Sequence, residues 1–119
     1  MASLNAFGAI LTYAIELEGT LNGYYQKAGN RDRADAAEKR RSKLERARRT
    51  YVLEITLEPI DGLDEANYGM NLSDTSPAGQ KAVEQIATLF YSDVAPHINV
   101  RDAQRLLEKC GREHAEAAG

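Results

Sequence analysis

Apolar residues recur along the first thirty positions at Leu4, Phe7, Leu11, Ala14, Leu21, Tyr25 and Ala28, in three-, four- and seven-residue steps that keep to one face of a helix. This stripe predicts a helix from about Ser3, a residue suited to an N-cap, to Gly29 and Asn30, which tolerate the left-handed conformation of a helix end. One position interrupts it: Glu18 projects from the same face as its apolar neighbours. A second helix is predicted from Asp32 to the stop at Pro59. Its early part is strongly helix-forming; "TYVLEITLE" is β-branched, but Leu44, Arg48, Tyr51 and Ile55 continue one stripe through it. Residues 58–75 hold Pro, two Gly and scattered Asp and Asn, the chemistry of a long connection. Helix three opens with Ser76 as N-cap and Pro77 in the first turn and ends near "APHIN". Helix four follows with Asn99 as N-cap and Asp102 three residues on, carrying an inward stripe of Ala103, Leu107, Cys110, His114 and Ala117. The pattern therefore predicts an all-α, four-helix bundle in a single domain over residues 1–119. The long connection has the reach for either a crossover, with helices two and three parallel, or a loose hairpin.

Composition adds a location and an asymmetry. A single Cys110 permits no intramolecular disulfide, Glu16 and Glu18 directly follow the apolar N-terminal run, and no stretch reaches the ~20 apolar residues of a membrane span, so a cytoplasmic chain without a membrane partner is expected. The net charge of −3 argues against a general nucleic-acid binder. Against that total, residues 31–49 hold nine Lys and Arg and four acids, read first as a solvated helix face and second as a site for an anionic partner.

Laying helix three over helix one aligns Glu18, Leu21, Tyr25 and Ala28 with Glu84, Ala87, Tyr91 and Val94: in each, a carboxylate is followed seven residues later by a tyrosine on the same face. The second helices of each half, overlaid without a gap, set Glu45 and Arg48 against Gly111 and His114. A Glu with a Tyr seven residues on, then a helix of the Glu-x-x-His kind, then both again, resembles the ferritin-like superfamily, in particular its rubrerythrin-type di-iron bundles. "AIELEGTLNGYYQKA" is similar to that family's first helix and "LLEKCGREHAE" to its fourth. The resemblance implies carboxylate and imidazole ligands for iron or manganese at Glu18, Glu45, Glu84 and His114, Tyr25 and Tyr91 orienting the carboxylates, and oxidation or peroxide chemistry at the metal. Two of six ligand positions depart from it, with Arg48 in place of a His and Gly111 in place of a Glu. Arginine has no acceptor and keeps its proton, so it ligates no metal.

That departure supports a reading from a different class: a metal-free bundle serving as a structural or protein-binding module, with Glu18 and Glu84 bridged by Arg48 in an ion-pair network. Assembly is a further expectation. Helices one and two are predicted to outrun the other two, leaving Leu4, Phe7, Ile10, Val52, Ile55 and Leu57 and a second stripe of Ile10, Tyr13, Leu17 and Tyr24 in need of cover, and hence a homodimer or larger oligomer. The competing arrangement has the 58–75 connection folding back over these ends.

Overall fold

The computed structural model describes residues 4, 6–51 and 62–119. Among them are four long helices, α1 (Phe7–Ala28), α2 (Arg31–Tyr51), α3 (Pro77–Val94) and α4 (Arg101–Ala118), with short 3-10 turns at Glu65–Tyr68 and Ala95–His97.

The helix boundaries follow local chemistry. Gly29 closes α1 at φ 75°, where its missing Cβ removes the left-handed penalty, and its N–H and that of Asn30 return to carbonyls of the last turn. Asn30 then starts α2: its side-chain oxygen accepts from the Arg33 N–H at 3.2 Å. Ser76 caps α3 as expected, accepting from the Gly79 N–H at 3.2 Å. Two caps differ from the sequence reading. α1 begins at Phe7 behind an extended Ala6 with no side-chain cap, and Ser3 lies outside the described residues. α4 is preceded by an extended Val100 with no side-chain cap, one residue after the expected Asn99.

Side-chain contacts fix the direction of every helix. Asn30, at the end of α1, donates to Gln80 near the start of α3, while Tyr13 near the start of α1 packs on Phe90 near the end of α3, with ring centroids 5.0 Å apart. α1 and α3 are therefore antiparallel. Arg33 near the start of α2 donates to the Ala117 carbonyl at the end of α4, and Tyr51 at the other end meets Asp102, so α2 and α4 are antiparallel too. With α1–α2 and α3–α4 packed as hairpins, α2 and α3 run parallel and the long connection is a crossover.

The described part of that connection covers the α1–α3 side. Tyr68 is buried against Tyr13 and Phe90 and donates to Asp93 at 2.7 Å, and the Tyr24 hydroxyl donates to the Asp74 carbonyl. Leu4, Phe7, Ile10, Leu17 and Tyr24, expected to be bare without a partner chain, are all buried within this one chain. Among the described residues the large apolar ones left exposed are Leu72 and Leu89; Val52, Ile55 and Leu57 lie outside the described residues. The expected extensions of helix one back to Ser3 and of helix two to Pro59 fall on positions outside the described residues.

Gly79 sets how closely the crossover seats on α3. A Cβ there would stand 2.2 Å from the Asp74 carbonyl oxygen, a backbone atom that cannot swing away. Gly79→Ala is expected to lower unfolding stability by about 1–3 kcal/mol in urea titration, and Gly29→Ala by about 1–2 kcal/mol through its left-handed backbone.

Candidate functional site: a buried charge network

Glu18 of α1 and Glu84 of α3 face each other across the bundle interior, each about 1 % exposed or less. A seven-residue step places Tyr25 and Tyr91 two turns beyond their own glutamates, about 10.5 Å along the axis. Because α1 and α3 are antiparallel and share this spacing, each tyrosine arrives opposite the other helix's carboxylate. The Tyr25 hydroxyl donates to Glu84 Oε1 at 2.8 Å, and the Tyr91 hydroxyl to Glu18 Oε2 at 2.6 Å.

His114 of α4, fully buried, lies between the two carboxylates. Its Nε2 is 2.8 Å from Glu18 Oε2, its Nδ1 hydrogen-bonds Glu84 Oε2, and its ring stacks on Tyr91 with centroids 5.6 Å apart and planes 12° from parallel. An ionised carboxylate only accepts, so with both carboxylates ionised the ring carries a hydrogen on each nitrogen and is an imidazolium. Burial alone would lower its pKa, but the hydrogen bonds and charges of Glu18 and Glu84 raise it above the ordinary 6.5. Glu18 moves the opposite way: burial pushes it up, while His114, Arg40 and the Tyr91 hydroxyl bring it below the ordinary 4.5.

The remaining helix, α2, contributes Arg40, 5 % exposed, whose Nε donates to Glu18 Oε1 at 2.9 Å and whose Nη1 donates to Glu113 Oε1 at 3.1 Å. Glu113 is partly exposed, so Arg40 joins the interior to the surface. The network holds two carboxylates and two cations within the bundle, and among the described residues every buried side-chain nitrogen and oxygen has a partner. The surroundings keep the remaining acids protonated. Burial and the nearby Glu84 and Glu18 carboxylates raise the Tyr25 and Tyr91 hydroxyls, and the buried Cys110 thiol is pushed up to about 12 by burial and by Glu18.

Of the residues singled out from the sequence, Glu18, Glu84, His114, Tyr25 and Tyr91 are brought together and Glu45 and Arg48 are not. Glu45 lies on the outer side of α2 in an ion pair with Arg41, which also holds Glu38. Arg48 is exposed and donates to the Thr12 hydroxyl at 3.1 Å instead of bridging Glu18 and Glu84. The displaced register has a simple origin. Residues 29–30 join α1 to α2 but residues 95–100 join α3 to α4, four residues more, so a gap-free overlay of the halves is wrong by about one helical turn. Allowing for them, Ala37, Arg40 and Leu44 correspond to Leu107, Cys110 and His114, and all six are buried. The signal for Arg40 lay in Ala34, Ala37, Leu44 and Ala47, the small and apolar members of a charged helix, whose common face includes it.

A metal ion would need a lone pair from the imidazole, and both His114 nitrogens are committed to carboxylates that cannot donate; Glu18 is further occupied by Arg40 and Tyr91. Among the described residues no group of three or more His, Cys, Asp or Glu is arranged to hold a metal ion. The donor set as arranged does not fit the iron or manganese centre that the family resemblance implies. No family model matches the chain, and neither curated proteins nor solved structures show a match to it.

Removing one member of a buried pair leaves the other charge unmatched. Arg40→Ala is expected to cost about 3–5 kcal/mol of unfolding free energy, against under about 0.5 kcal/mol for Arg48→Ala. The pH profile follows from the two shifts. The raised His114 contributes fully below its unfolded value of 6.5 and loses this as pH rises through its folded value; the lowered Glu18 contributes fully above 4.5 and loses this as pH falls through its folded value. Urea midpoints should therefore be highest between about pH 4.5 and 6.5, and the alkaline decline should vanish in His114→Gln.

Proposed function

We propose that this protein is a metal-independent helical module with a structural or protein-binding role, its bundle closed by the Glu18–His114–Glu84–Arg40 network. The observation that carries the reading is the pair of hydrogen bonds at His114: with a carboxylate on each ring nitrogen, the proton and the Arg40 guanidinium supply the positive charge that a di-metal centre would otherwise provide. No described helix is long and apolar enough to cross a membrane, which leaves partners in the aqueous phase as those the module would meet.

The convergence of Glu18, Glu84 and His114 from three helices favours a second reading, a ferritin-like protein with a reduced iron or manganese site and oxidation or peroxide chemistry. In that reading Glu45 takes no part without a large movement of α2, since it pairs with Arg41 on the outside.

Metal analysis of natively purified protein separates the two. The module is expected to carry under about 0.1 equivalent of iron or manganese and to show the same thermal midpoint with and without a chelator, since a ligand bound at 100 times its Kd would add about 2.7 kcal/mol. Stoichiometric metal that disappears in Glu18→Gln and Glu84→Gln would overturn the module reading in favour of the second.

A further inference from the structure

The basic segment of α2 remains unexplained by the interior network, and the structure sorts its cations. Arg40 is buried. Arg41 binds both Glu38 and Glu45 and so uses up the two acids in the middle of the helix. Arg48 turns toward Thr12 on α1. Arg33 donates to the Ala117 carbonyl and Arg31 is exposed at the helix start. Along the rest of the helix Lys39, Lys43, Arg46 and Arg49 are all exposed and without an ion pair among the described residues. At steps of four, three and three residues they follow the solvent-facing part of α2, Lys39 and Lys43 toward α4 and Arg49 toward α1, and every exposed position from 39 to 50 is Lys, Arg, Ser or Thr. The acids Asp32, Asp35 and Glu113 border Lys39 and Lys43 at the end toward the helix start, and Arg46 lies beyond them.

The chain's negative total says little about this face, because the charge is segregated. Residues 51–80 hold six acids and no Lys or Arg. Three of those acids, Asp64, Glu65 and Asp74, belong to the connection that covers α1 and α3, on the side away from α2. The overall −3 is thus the sum of an acidic side and a cationic rod.

We propose that the outward face of α2 binds the phosphate backbone of a nucleic-acid duplex without reading its bases. From Lys39 to Arg49 the helix rises about 15 Å. Over that length of axis each duplex strand carries about four phosphates, a charge density ample for four cations. Exposed ion pairs with an acidic protein surface gain little, since both partners give up hydration and side-chain freedom. A polyphosphate instead releases a condensed counterion for each contact, which rewards isolated, solvated cations on a rigid element. The face has no apolar side chain to insert into a lipid surface and no aromatic ring on which an unpaired base could stack, so a membrane and a single strand fit it less well than a duplex. The inference stands apart from the interior network, whose metal content can be settled either way without affecting it.

Fluorescence anisotropy with a short random-sequence DNA duplex tests it. The logarithm of the association constant should fall against the logarithm of salt concentration with a slope of about −3.6, a loss of about 150-fold between 50 and 200 mM salt. Lys43→Gln and Arg46→Gln should each reduce the slope by about 0.9, the fourfold Gln variant at 39, 43, 46 and 49 should abolish binding, and Arg105→Gln on α4 should leave the slope unchanged. Failure to bind duplex at low salt, an equal loss in Arg105→Gln, or tighter association with phosphatidylserine vesicles or polyglutamate would overturn the proposal.

Discussion

The bundle is organised around charge that has been taken out of water and must be matched where it lies. Each buried ion carries a desolvation penalty of several kcal/mol, offset here only because Glu18 and Glu84 meet a guanidinium, an imidazolium and two phenols at hydrogen-bond distance. The arrangement engages all four helices: α1 and α3 supply the carboxylates and the tyrosines, α4 the imidazolium, and α2 the arginine. A helix that slipped by one residue would turn its polar group by about 100° and strand a charge in a dry interior. Its main effect is therefore on register. The surrounding Leu, Ala and aromatic residues would tolerate several alternative packings; the network tolerates one.

Much of this could be read from the chain, and what could not has definite physical causes. Helical periodicity located all four helices, and a carboxylate on an apolar stripe with a tyrosine two turns away marked Glu18, Glu84, Tyr25 and Tyr91 as inward residues with a shared purpose. The exchange of tyrosines between the halves was not legible, because it depends on α1 and α3 being antiparallel, and the long connection was compatible with either direction. Arg40 escaped because α2 is so rich in cations that its inward face shows only as a row of alanines and one leucine. A gap-free overlay of the halves points to Arg48 instead, because the links at 29–30 and 95–100 differ in length by about one helical turn.

The two halves solve one problem with different side chains. Arg40 in the first half corresponds to Cys110 in the second, and His114 in the second to Leu44 in the first, so each half contributes a single cation at a different level of the bundle. Arg40 is permanently charged and opens through Glu113 toward solvent, whereas His114 is sealed and keeps its proton only while both carboxylates stay beside it. The first cation is indifferent to pH over the range in which the second titrates.

The exchange of hydroxyls also shapes the order in which the chain can assemble. Within each hairpin the carboxylate finds its cation nearby in sequence, Glu18 with Arg40 at a separation of 22 residues and Glu84 with His114 at 30. The bonds that join the hairpins, Tyr25 to Glu84, Tyr91 to Glu18 and His114 to Glu18, close separations of 59, 73 and 96 residues. Each hairpin can thus collapse with its charge already balanced, while the fit between hairpins is tested only once the crossover has closed, a long-range step whose loop entropy is spent before any of these bonds is made. The contacts that hold the two hairpins together are therefore the exchanged phenols and the imidazole, all of them made across the crossover.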